Sequence, residues 1–112
     1  MQNIEFIGTL ELGGEISAVE NKNARQLFNG VRRQIMEVTL SGEAVLPKHK
    51  AAEPITVLCL AGKGVFLAGE ELQEEQILET GTLITLEANV PHEVIAKPGL
   101  RILVTKFKQD QS

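Results

Sequence analysis

The chain has 112 residues, 43% of them hydrophobic and 23% charged, with a formal net charge of −4; this is the profile of a single globular domain able to bury its own core. The surplus of acid, with no basic run and no interleaved aromatic residues, leaves no footing for nucleic-acid binding. No apolar stretch approaches the roughly 20 residues that cross a bilayer, and MQNIEFIGTL lacks the basic start and apolar centre of a signal peptide, so a cytoplasmic protein without a membrane partner is expected.

Two further counts narrow the chemistry. Trp and Tyr are absent and Phe occurs four times, so the core relies on Leu, Ile and Val, and no tyrosine hydroxyl or indole can hold a ligand. The single cysteine, Cys59, cannot close an internal disulfide; within the apolar run VLCLA it reads as a small buried thiol.

Along the chain, Glu5 to Leu12 is expected to form one or two short strands ending at Gly13-Gly14. Residues 16–22 are weakly patterned, and Asn21-Lys22-Asn23 reads as a loop. Asn29-Gly30, between two β-prone segments, predicts a hairpin through a type I′ turn. Met36, Val38 and Leu40 then alternate with Glu37 and Thr39, the period of a half-buried strand. Ala44 to Ala52 is extended but interrupted by Pro47, and Ile55 to Ala61 is apolar on both faces, as in a strand covered on both sides.

Gly62-Lys63-Gly64 and Ala68-Gly69-Glu70 read as turns flanking Val65-Phe66-Leu67. The segment EELQEEQILE is helical by propensity, yet it lies between glycine turns in a chain punctuated about every ten residues; that rhythm favours a strand over Gln73 to Leu78. Between Lys63 and Lys97 stand seven acids and no Lys or Arg, which reads as a solvated face. A strand over Leu83 to Leu86, a loop to Pro91, a strand over His92 to Ala96, a tight turn at Lys97-Pro98-Gly99 and a strand over Leu100 to Lys108 complete the chain before a frayed tail, QDQS. Eight to ten short strands without a helix predict two packed antiparallel sheets, a β-sandwich or barrel closing as a jelly roll. Residues 1–112 are expected to form one such domain.

Both histidines fall between Gly42 and Ala96. Alternation along an extended chain puts His49, Ala51, Glu53 and Ile55 on one face, with Lys48 and Lys50 on the other. Likewise His92, Val94 and Ala96 share a face opposite Glu93 and Ile95. Taken singly, His49 reads as a polar residue at a strand end and His92 as a loop histidine bonded to backbone.

Together, residues 42–96 resemble the two histidine motifs of the cupins, a superfamily of small double-stranded β-helices. In the first motif Gly42 and Gly62 stand at the ends, His49 at the first histidine, Ala51 at the second and Ile55 at the glutamate. In the second, Gly81 opens the pattern, Glu87 and Asn89 replace its proline and glycine, His92 keeps its histidine and Ala96 replaces its asparagine. The resemblance implies an all-β, cupin-type jelly roll. In metal-binding cupins three histidines and a glutamate are the ligands, and this chain retains two of the four.

A catalytic metal site needs about three protein ligands, so no tightly held cofactor is expected. The expected function is binding of a small molecule in a barrel pocket lined by His49, His92, Met36, Val38 and Val94. Two alternatives stand beside it. One is a metal-dependent enzyme of the dioxygenase or isomerase kind, with a divalent transition metal on His49, His92 and Glu53; no catalytic residue is assigned from sequence. The other is a non-catalytic oligomerising or sensory module. A homodimer is expected under each, because sheets expose edges that pairing covers.

Overall fold

The computed structural model describes residues 3–16 and 21–109. The strands are β1 (Lys22–Asn29), β2 (Arg33–Leu40), β3 (Val45–His49), β4 (Ile55–Ala68), β5 (Glu74–Glu79), β6 (Leu83–Leu86) and β7 (His92–Phe107). Every pairing is antiparallel, and no helix occurs among the described residues.

Two long strands organise the rest. β4 and β7 pair along their whole length, from Ile55↔Lys106 to Ala68↔His92. The ribbon they form bends near its middle. Bulges fall on β4 between Cys59 and Ala61, opposite Arg101 and Ile102, and between Gly62 and Gly64, opposite the cis Lys97-Pro98 peptide and Gly99 on β7. Beyond the bend in one direction, β6 joins β4 while β2 and then β1 join β7. In the other direction, β5 joins β4 and β3 joins β7. The bent ribbon is therefore shared by two sheets, ordered β1-β2-β7-β4-β6 and β3-β7-β4-β5, and the architecture is an antiparallel jelly roll.

The bend depends on two glycines for space. A Cβ on Gly62 would lie 2.2 Å from the Gly99 carbonyl oxygen, and Gly62 also has φ +84°. A Cβ on Gly64 would lie 2.6 Å from the Ile95 carbonyl oxygen and 2.0 Å from Leu100 Cδ2. Backbone packs against backbone here, as bare glycines at bulges allow. Around the bend sits the driest part of the core, including Leu40, Cys59, Ala96, Leu100 and Ile102. Burial is also what pushes the Cys59 thiol pKa up.

Several boundaries differ from expectation. Gly62-Lys63-Gly64 and Lys97-Pro98-Gly99 are bends inside continuous strands rather than turns, so seven strands replace eight to ten. The physical reason is that glycine and proline mark bulges as readily as chain reversals. Residues 3–16 hold no strand: Gly13 N–H donates to the Leu60 carbonyl and Arg101 Nη2 to the Glu11 carbonyl, isolated contacts rather than a ladder. Lys22 and Asn23, expected in a loop, pair with Leu40 and Thr39 in the β1–β2 ladder. The weakly patterned stretch before them lies partly outside the described residues, as does most of the QDQS tail.

The first hairpin forms, but Asn29 ends β1 and the connection runs over 30–32, with Gly30 N–H bonded to the Arg33 carbonyl at 2.8 Å. Here glycine serves space rather than handedness, because a Cβ would meet the Phe28 ring at 2.7 Å. The paired left-handed residues of a type I′ turn occur instead at Gly42 (φ +60°) and Glu43 (φ +59°), closed by Ala44 N–H to the Ser41 carbonyl. The acidic segment with helical propensity is a strand, β5, because Leu78 is drawn into the core while Glu74 to Glu79 pair with β4. Tertiary pairing outweighs a local preference worth only tenths of a kcal/mol per residue, roughly.

Candidate functional site

At the end of the sheets remote from the bend, β3 and β7 bring the two histidines face to face. His49 and His92 are direct cross-strand partners, and such partners have Cβ atoms about 5 Å apart. Their ring centroids are 4.2 Å apart, with planes inclined by 62°. Phe66, from β4, stacks on His92 at 5.4 Å with the rings nearly parallel. His92 is 4% exposed; His49 is exposed.

Each imidazole is fixed by the carbonyl two residues before it. His49 Nδ1 lies 2.8 Å from the Pro47 oxygen, and His92 Nδ1 lies 2.9 Å from the Val90 oxygen. A carbonyl can only accept, so Nδ1 carries the proton in each ring and Nε2 is the nitrogen left for other chemistry. The His92 pKa is lowered from its ordinary value, first because burial penalises the cation; the Val90 carbonyl opposes this and the nearby His49 adds to it. His92 therefore presents a neutral ring with a lone pair on Nε2 at neutral pH.

The two rings line a cavity of about 260 Å³ between the sheets. β2 contributes alternate residues, Gln34, Met36 and Val38. β7 contributes Val94 from the histidine-bearing sheet and Ile102, Val104 and Lys106 from the facing one. Ile55, Val57 and Phe66 of β4 and Leu46 of β3 close the apolar wall. Lys50 and Ala51, on the loop after β3, complete the lining.

His49, His92, Met36, Val38 and Val94, proposed from sequence as pocket residues, are thus brought to one cavity. Glu53 is not. It lines a separate depression with Val31, Ala52 and Lys108. The reason is local: the extended register ends at His49 and the chain bends at 52–53 before Pro54, so face alternation does not carry through to Glu53. Lys50 also departs from its expected outward position and reaches the cavity lining, whereas Lys48 points away and donates to the Glu70 carbonyl. β3 ends at His49, so the alternation that set Lys50 opposite it does not hold past the strand.

These positions bear on a metal. The cupin ligand set asks for a third and fourth donor beside the two imidazoles, and the cavity supplies neither carboxylate nor thiolate. Among the described residues no group of three His, Cys, Asp or Glu is placed to hold a metal ion. The residues present do not fit a tight metal centre, and the His49–His92–Glu53 triad is not assembled.

Among the lining residues that the sequence did not single out are Gln34, Lys106 and Phe66. Gln34 lies two positions before Met36 and Lys106 two after Val104, so extending the alternation by one step reaches both. Phe66 offered no such signal, because its contact with His92 depends on the β4–β7 register.

No family model matches the sequence, and no curated protein matches it. Solved structures do share its fold. A cupin superfamily protein from Desulfitobacterium hafniense DCB-2 superposes with a TM-score of 0.75 at 18% identity, over 84% of this chain and 84% of that one. A conserved protein of unknown function from Streptococcus pyogenes gives a TM-score of 0.74 at 19% identity, over 97% of this chain and 94% of that one. An RmlC-like cupin from Shewanella frigidimarina NCIMB 400 gives 0.73 at 12% identity, over 87% and 86%. With two bent sheets sharing one long ribbon, and with these structural neighbours, the chain has the fold of the cupin superfamily, a small antiparallel jelly-roll barrel.

Proposed function

We propose that the protein binds a small organic molecule between its sheets, with His49 and His92 as polar anchors and no tightly held metal. The observation that carries this reading is the contact of the two imidazoles, 4.2 Å apart, at an otherwise mostly apolar cavity of about 260 Å³. Pockets of this kind, apolar walls with a few convergent polar groups, are the usual sites for small molecules. Each ring has its Nδ1 committed to backbone, so each can turn Nε2 to a ligand. Met36, Val38 and Val94 supply the apolar wall.

The test is a fragment screen by ligand-observed NMR on the native chain and on Met36→Trp, which fills the cavity from a half-buried position. Fragments that bind the native chain and lose binding in Met36→Trp and in His49→Ala support the proposal. Fragments whose binding ignores both substitutions would place the ligand elsewhere and end it.

The protein is also proposed to be a homodimer. Phe6 and Leu12 are 75% and 72% exposed, and the outer edge of β1 has no strand partner among the described residues. Exposed apolar side chains and an open sheet edge each favour a second chain.

A further inference from the structure

Resting on the pocket reading above, we infer that the ligand is a small monocarboxylate with an apolar body, its carboxylate held at the cavity mouth by Lys50 and Lys106. The argument begins with the arrangement of polar groups. The bend in the β4–β7 ribbon closes one end of the space between the sheets, and the tips of the sheets face each other at the other. At one tip Lys106 is the cross-strand partner of Gln34; at the other His49 is the partner of His92. Lys50 follows His49 on the connecting loop. The polar side chains of the lining therefore gather where the cavity opens, and the side chains toward the bend are aliphatic.

The sign of these groups is the second observation. The chain carries 15 acids against 11 Lys and Arg, yet no Asp or Glu lines this cavity while two lysines do. Lys106 is half-buried. Neither lysine makes an ion pair or side-chain hydrogen bond among the described residues, whereas Arg25 pairs with Glu37 on the outer β1–β2 ladder. A half-buried ammonium without a counter-charge in an acidic protein is a ready anion site, since charge-assisted hydrogen bonds are the strong ones.

The histidines do not compete for that role. His92 donates its Nδ1–H to the Val90 carbonyl and offers a ligand only a lone pair, so the negative group is assigned to the two lysines. The imidazoles are left to accept from a hydroxyl where the ligand has one. Size sets the body of the ligand: about 260 Å³ is the liquid volume of roughly nine waters, which suits a short aliphatic or single-ring acid.

Hexanoate, benzoate, 1-hexanol and hexylamine, titrated calorimetrically into the full chain, test this. The acids should bind about tenfold or more tightly than the alcohol, the scale of one charged hydrogen bond, and the amine should bind weakest. Lys106→Met and Lys50→Met should each cost the acids severalfold and leave 1-hexanol unchanged, with circular dichroism confirming the fold. Alcohol and acid binding equally would overturn the carboxylate assignment while leaving the pocket reading standing. An acid preference that survives both lysine substitutions would overturn the role of the lysines. Absence of binding by all four probes would overturn the pocket reading and the inference together.

Discussion

His92 shows how much one residue's chemistry depends on its surroundings. Pro91 delivers it from the loop, the Val90 carbonyl accepts a hydrogen bond from its Nδ1–H, Phe66 stacks on it and His49 lies against it. The cavity adds Lys50 and Lys106, and no carboxylate. Its lowered pKa has a consequence for stability. The unfolded chain takes up the proton below about pH 6.5, but the native chain does so only at lower pH. Stability therefore declines as pH falls below about 6.5 and levels off beneath the native value, by about 1.4 kcal/mol for each pH unit between the two. Urea titrations from pH 7 to pH 5 should show that decline in the native chain and a smaller one in His92→Gln. Two histidines give two imidazole proton signals, so NMR reads the same shift directly; a His92 midpoint at or above 6.5 contradicts the burial argument.

What sequence disclosed at this scale was the pairing of His49 with His92, through their motif positions. What it could not disclose was their contact, which requires β3 and β7 to be neighbours in one register. The misplacement of Glu53 has the same root: alternation holds only while the chain stays extended, and it bends at 52–53.

Among the elements, the β4–β7 ribbon sets the shape of the molecule, and its glycines can be tested separately. Gly62 and Gly81 both have positive φ, +84° and +94°. A Cβ at Gly81 meets nothing within 4 Å, whereas one at Gly62 meets the Gly99 backbone. Gly81→Ala carries the conformational penalty alone, about 1 kcal/mol. Gly62→Ala adds an overpacking cost of about 1–3 kcal/mol, so its urea midpoint should fall well below that of Gly81→Ala. Equal midpoints would mean that the ribbon can relax at the bend. The sequence marked both glycine stretches and the Pro98 stretch as breaks. It could not distinguish a reversal from a bulge, because both need the same residue types and differ only in which strand lies alongside.

For the whole molecule, the expected outcome is a dimer of about 24 kDa by light scattering, twice the 12.2 kDa chain. Replacing Phe6 and Leu12 by Ser should shift the equilibrium toward monomer without lowering the unfolding midpoint, since both side chains are exposed. A native chain that remains monomeric at millimolar concentration refutes the dimer.

Sequence by itself determined the class of fold and its inner faces. Period-two alternation at Met36, Val38 and Leu40, the doubly apolar run Ile55 to Ala61 and the regular glycine punctuation are local signals, written in residues a few positions apart. Only the tertiary structure decided that Gly62 and Pro98 are bends, that His92 lies between the edge of His49 and the face of Phe66, and that Lys50 and Lys106 line one cavity free of acids. Those are facts of register between strands as far apart in the chain as Gln34 and Lys106, and packing between sheets settles them where no local preference can.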